Sequence, residues 1–205
     1  MKQTGTILSF EFCNKDEMRN TLKRLAHSID AVYLKELVLL QGSVQVIKEL
    51  KSFMREKGFD KPIIIDYRLE QSELDSLKGI SGLLKNEGAY GMTIMTVYGE
   101  DFIKSCRKEA RISLFAIVDV GMKSFRDRFD DGCLIDNAIA ARNNGCEGII
   151  MTSRHLDRIR KVRDAIGKDF PLLSTLEREN KLGDTISAGA DFEIVSSKLP
   201  ELARP

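Results

Sequence analysis

A chain of 205 residues, 42% hydrophobic and 31% charged, can bury one substantial core and is predicted to form a single domain over residues 1–205. Its 32 Lys+Arg against 31 Asp+Glu leave a net charge of +1, which excludes an overall pull toward nucleic acid or an anionic membrane but leaves room for a local basic site. The segment after Met1 has no apolar leader core, and no stretch approaches the roughly 20 apolar residues of a membrane span, so a soluble, cytoplasmic protein is expected.

Taken in chain order, short β-branched runs alternate with longer stretches of helical period. Strands are predicted at Thr6 to Phe12, Ala31 to Leu34, Pro62 to Tyr67 and Met92 to Val97. Four more are predicted at Ile112 to Asp119, Gly148 to Thr152, Pro171 to Ser174 and Phe192 to Ser196. Between them, Asn14 and Glu17 resemble a capping box ahead of Met18, Leu22, Leu25 and Ala26 on one face. Ser43 precedes Val44, Ile47, Leu50 and Met54; Ser72 precedes Leu74, Leu77, Ile80 and Leu84; Leu156, Ile159, Val162 and Ile166 repeat the period. Eight strands alternating with amphipathic helices predict an α/β fold, a (β/α)8 TIM barrel with a short or missing final helix, because the stretch from Lys198 to Pro205 is too brief and proline-rich to cover the seam. A doubly wound open sheet is the alternative.

Cys13, Cys106, Cys133 and Cys146 form no C-x-x-C pair and no cluster with histidine. They read as buried thiols in a reducing compartment, and neither a metal nor another cofactor is expected.

The run Pro62-Ile63-Ile64-Ile65 ends abruptly in Asp66-Tyr67-Arg68-Leu69-Glu70-Gln71. Branched apolar residues want cover on both faces, as in a parallel sheet, so Asp66 and Arg68 belong at the strand's carboxyl end, where such sheets bind ligands. The other strand ends are polar too: Glu11, Tyr33 and Lys35, Thr96, Asp119, Thr152 with Ser153 and Arg154, Ser174 with Thr175, and Ser196 with Ser197 and Lys198. A ring of carboxylates, hydroxyls and cations suits a small anionic, oxygen-rich ligand. Contact with water explains any single rim residue equally well, and Asp66 with Arg68 also reads as an ion pair completing a core layer. The charged run from Gly121 to Gly132 reads as a solvated connector or a closing lid.

In order and spacing, these elements resemble the orotidine 5'-monophosphate decarboxylase family and its phosphosugar decarboxylase and hexulose-phosphate synthase relatives. Leu8-Ser9-Phe10-Glu11-Phe12 is similar to the family's first strand, which ends in aspartate, and Ile29 to Leu34 to its second, with Tyr33 at the lysine position. Ile65 to Gln71 resembles the D-x-K-x-x-D element: Asp66 is kept, Arg68 replaces the lysine and Gln71 the second aspartate. Gly88 to Thr96 is similar to the strand that carries a histidine at Met95, and Ala190 to Ser197 to the phosphate-binding strand, with Ser196-Ser197 replacing Gly-Arg.

The resemblance implies a ribulose-phosphate-binding type of barrel, a carbon–carbon lyase of pyrimidine biosynthesis, and a homodimer with shared active sites. It places Glu11, Tyr33, Asp66, Arg68 and Gln71 in the catalytic positions and Ser196, Ser197 and Lys198 at the phosphate, and the strand-end reading adds Asp119, Thr96, Arg154 and Thr175 as substrate-binding candidates. The departures speak against standard decarboxylation. A guanidinium is a poor proton donor near neutral pH, Tyr33 puts a hydroxyl where a cation is expected, and Gln71 removes a charge that the family contributes across the dimer interface. Glu177 and Glu179 sit where the family has a glycine-rich phosphate loop and would repel a phosphate, which Ser196, Ser197 and Lys198 would otherwise hold. The expectation is a decarboxylase-like protein with weak or absent decarboxylation. Its alternatives are a silent paralogue binding a nucleotide or phosphorylated metabolite, and a structural partner of an active homologue.

Overall fold

The computed structural model describes residues 4–11, 14–35, 44–119, 130–152, 154–177 and 179–198. Eight parallel strands close into a barrel in sequence order, β1 next to β8. The strands are β1 (Gly5–Phe10), β2 (Ala31–Lys35), β3 (Ile63–Leu69), β4 (Gly91–Met95), β5 (Ser113–Ile117), β6 (Gly148–Thr152), β7 (Leu172–Thr175) and β8 (Phe192–Ser196). All eight predicted strands are present, and the open-sheet alternative is excluded by closure.

Helices α1 (Lys15–Leu25), α2 (Gln45–Glu56), α3 (Leu77–Asn86), α4 (Glu100–Glu109), α5 (Asp131–Asn143), α6 (Leu156–Ile166) and α7 (Asp184–Ser187) cover the outside. The α1 cap is as predicted on one side, Asn14 Oδ1 accepting from Glu17 N–H at 2.8 Å. Ser72, by contrast, does not start its helix. A 3-10 turn (Gln71–Ser76) intervenes, and the reciprocal capping box there joins Glu70 and Glu73. A carboxylate one turn earlier captured the free N–H groups that a serine hydroxyl was expected to take. The expected short final helix, Cys13, Ser43 and most of the segment from Gly121 to Gly132 lie outside the described residues.

Alternation along the strands sorts the core into two layers. Ile63, Ile65, Leu8, Phe10, Val32 and Leu34 point outward against the helices, with Leu22, Leu50 and Ile103 opposite them. Ile7, Ala31, Ile64, Phe115, Ile117, Ile150, Leu173 and Ile194 fill the barrel interior together with Tyr33. Gly91 makes room for that filling, since a Cβ there would lie 2.6 Å from the Phe115 ring. The interior is therefore packed, and polar residues farther along each strand are left to line its carboxyl-end mouth. Cys106 and Cys146 are buried in the outer layer, and burial pushes both thiols up to about 12. Cys133 is only half-buried.

Candidate active site

The same alternation that aims Ile7, Ala31 and Ile64 inward aims the next polar positions into the mouth. A cleft of about 170 Å³ opens there, walled by Ser9 and Glu11 from β1, Tyr33 and Lys35 from β2, and Asp66 and Arg68 from β3. Asp119, Thr152, Thr175, Glu177 and Ser196 close the ring from the ends of β5 to β8.

β3 departs from regular pairing to reach this site. Its register with β4 shifts between Ile65 and Leu69, and Arg68 adopts φ 56°, the left-handed region that a non-glycine residue enters at a cost of about 1–2 kcal/mol. Thr93 holds the distortion: its Oγ1 accepts from the Arg68 N–H at 2.8 Å and donates to Asp66 Oδ1 at 3.2 Å. The bulge turns the Arg68 side chain back onto Asp66, with Nε at 3.1 and 3.2 Å from the two carboxylate oxygens and Nη2 at 3.0 Å from Oδ2.

Asp66 is 3% exposed, yet its charge is well matched. Besides Arg68 and Thr93 it accepts the Tyr33 hydroxyl. Burial first, then the Asp66 charge and this hydrogen bond, push the Tyr33 phenol well above its usual range, with Arg68 opposing. Tyr33 is thus a neutral donor. Beside it, Lys35 pairs in register with Asp66 across the sheet, and its Nζ lies 2.5 Å from Glu11 Oε1. Around the rim from β1 to β3 the charges therefore alternate: Glu11, Lys35, Asp66, Arg68.

The opposite wall is hydroxylic. Thr152 Oγ1 donates to Glu177 Oε1 at 3.1 Å, and Ser196 Oγ accepts the Lys198 N–H at 3.3 Å. Ser9, buried between Tyr33 and Ser196 in the strand register, has an Oγ without a hydrogen-bond partner. Behind this wall, Glu193 faces away from the cleft and accepts from the N–H groups of Gly183 and Thr185 and from Thr185 Oγ1 at 2.6 Å. Asp119 is buried at the end of β5 with Arg158 Nη1 4.0 Å from its Oδ2, while Arg158 Nε binds Asp131 Oδ1 at 2.9 Å.

Of the residues expected at the site, Glu11, Tyr33, Asp66, Arg68, Asp119, Thr175 and Ser196 converge on the cleft. The other five do not line it. Thr96 is fully buried in a 3-10 turn after β4 and donates to the Ile117 carbonyl at 2.9 Å, because the strand stops one residue short of it. Gln71 is exposed on its own 3-10 turn, and Arg154 and Lys198 are exposed beyond the ends of their strands. Ser197 donates its backbone N–H to Ser9 O at 2.8 Å. Sequence reasoning missed Thr93, Ser9 and Arg158 as parts of the mouth. Only Ser9 carried a signal, since it lies two residues before Glu11 and so shares its face.

Comparison with known proteins agrees with the barrel fold. Over 208 residues the chain is 22% identical to orotidine 5'-phosphate decarboxylase of Methanococcoides burtonii, covering 97% of this chain and 90% of the relative. Across nearly its whole length the chain is thus similar to orotidine 5'-phosphate decarboxylases, at an identity that marks it as diverged from them. The structure of the Pyrococcus horikoshii orotidine 5'-phosphate decarboxylase superposes with a TM-score of 0.80 at 19% identity, over 98% of this chain and 92% of that one. That of orotidine 5'-monophosphate decarboxylase from Metallosphaera sedula gives 0.76 at 20% identity, over 95% and 88%. No family model matches the chain. In this chain the rim carries alternating charge, and Lys35 supplies the cation that position 33 does not.

Proposed function

We propose that this decarboxylase-like barrel binds a small polar ligand at its mouth and that orotidylate decarboxylation there is weak or absent. The observation that carries this reading is the state of Arg68. Its guanidinium is held on Asp66 by three hydrogen bonds and does not release a proton near neutral pH, while the carbanion left by decarboxylation has to be protonated. Asp66, matched by Arg68, Thr93 and Tyr33, presents no bare charge to crowd a substrate carboxylate. Residual protonation falls to Lys35, the one ammonium in the cleft wall among the described residues, and Glu11 already engages it.

Asp66, Arg68, Glu11 and Tyr33 are the proposed reaction-centre residues, with Asp119, Thr175 and Ser196 on the ligand; a homodimer with Gln71 at the subunit interface belongs to the same proposal. The test is orotidylate turnover by the wild type and by Asp66→Ala, extended to pentulose and hexulose phosphates. Wild-type turnover no higher than that of the variant is expected. Turnover that Asp66→Ala abolishes would overturn the reading.

A further inference from the structure

The two walls of the cleft differ in what their polar groups are already doing. On β1 to β3 the charges engage each other, and the two cations, Lys35 and Arg68, stand at neighbouring positions across the rim. At the seam where β1 meets β8, Ser9 Oγ is buried, 3% exposed, lines the cleft and makes no hydrogen bond to another protein group. A buried hydroxyl left in this state is a desolvation cost that an oxygen-bearing ligand recovers. Ser196 pairs with Ser9 across that seam, and Thr175 stands with Ser196 on the β6–β8 wall.

That wall is unsuited to a phosphomonoester. Glu177 extends from the end of β7 into the cleft, held by Thr152, and a phosphate would place up to two negative charges beside it. The N–H groups of Gly183 and Thr185 that follow in the chain bind the Glu193 carboxylate instead of facing the cleft.

Resting on the reading that the mouth is a ligand site, we infer that its ligand is an unphosphorylated polyhydroxy acid. One carboxylate sits against Lys35 and Arg68, and ligand hydroxyls take up Ser9, Thr175 and Ser196. Glu177 excludes the phosphorylated counterpart.

Calorimetric titration of the full chain with three matched pairs tests this: D-glycerate and 3-phosphoglycerate, D-gluconate and 6-phosphogluconate, orotidine and orotidylate. At least one unphosphorylated member is expected to bind, with its phosphorylated partner about tenfold weaker or worse. Glu177→Gln is expected to narrow that gap, and Ser9→Ala to weaken the unphosphorylated ligand about fivefold with unchanged circular dichroism. Equal or tighter binding of the phosphorylated members overturns the inference, as does binding by no unphosphorylated member or indifference to Ser9→Ala. Orotidylate turnover would instead overturn the weak-decarboxylation reading, leaving the preference to be read from the other two pairs.

Discussion

On the β1–β3 side of the mouth, Glu11, Lys35, Asp66 and Arg68 alternate in sign and are tied into two pairs. On the β6–β8 side, Thr152, Thr175 and Ser196 present hydroxyls in front of a single carboxylate, Glu177. The first wall is preorganised by its own electrostatics, so a ligand meets fixed charge. Where the two meet, at the β1–β8 seam, Ser9 keeps unused hydrogen-bonding capacity, so it is at that seam that a ligand completes the mouth.

The hydroxyl wall stays in place because of what stands behind it, and Glu193 gives the largest expected effect. Glu193→Ala would leave the buried Thr185 N–H, the half-buried Gly183 N–H and the Thr185 hydroxyl without their acceptor, a loss of about 3–4 kcal/mol. Urea denaturation measures it, and a loss below about 1 kcal/mol would mean that this wall does not depend on its backing. On the charged wall Asp66→Ala strands the Tyr33 and Thr93 hydroxyls, but Arg68 is half-exposed and regains water, so about 2–3 kcal/mol is expected. Thr93→Val keeps the shape and removes only the two hydrogen bonds that hold the bulge, for about 1–2 kcal/mol.

These three residues mark where sequence and structure part. The strands were legible because branched apolar runs of five or six residues announce themselves, and the polar ring followed from strand-end positions alone. Asp66, Arg68 and Glu11 reach the cleft for that local reason. The bulge was not legible, because it depends on Thr93 facing Asp66 across the β3–β4 seam, and period-2 patterning carries no cross-strand register. The same blindness hid the Glu11–Lys35 pair, contributed by neighbouring strands, and made Tyr33 look like a lost cation when Lys35 supplies one. Thr96, Arg154 and Lys198 were assigned to the rim on proximity, but the strands end one residue before Thr96 and two before Arg154 and Lys198, which leaves all three off the cleft.

Alkaline titration sharpens the charged wall further. An unfolded tyrosine titrates near 10.0, whereas Tyr33 in the fold titrates well above that. Above pH 10 the unfolded chain then holds fewer protons than the native one, so stability falls as pH rises, and below pH 10 the contribution is fully present. Cys106 and Cys146, raised from 9.0 to about 12, act in the same direction from pH 9 upward. Tyr33→Phe is expected to flatten the fall above pH 10 while leaving the decline that begins near 9. An unchanged slope above pH 10 would mean that burial and the Asp66 charge do not raise the phenol in the fold.

Ser9→Ala has the smallest expected effect on stability and the sharpest bearing on the contrast between the walls. The substitution removes an oxygen that is buried without a partner, so it relieves a desolvation cost instead of breaking a bond. Its stability should match the wild type or exceed it by up to about 0.5 kcal/mol, in contrast to the losses on either side. A loss above about 1 kcal/mol in urea denaturation would show that Ser9 is part of the barrel's own hydrogen bonding. Unchanged or raised stability together with weaker ligand binding would place its hydroxyl at the service of the ligand, a polar group kept in the core at the expense of the fold.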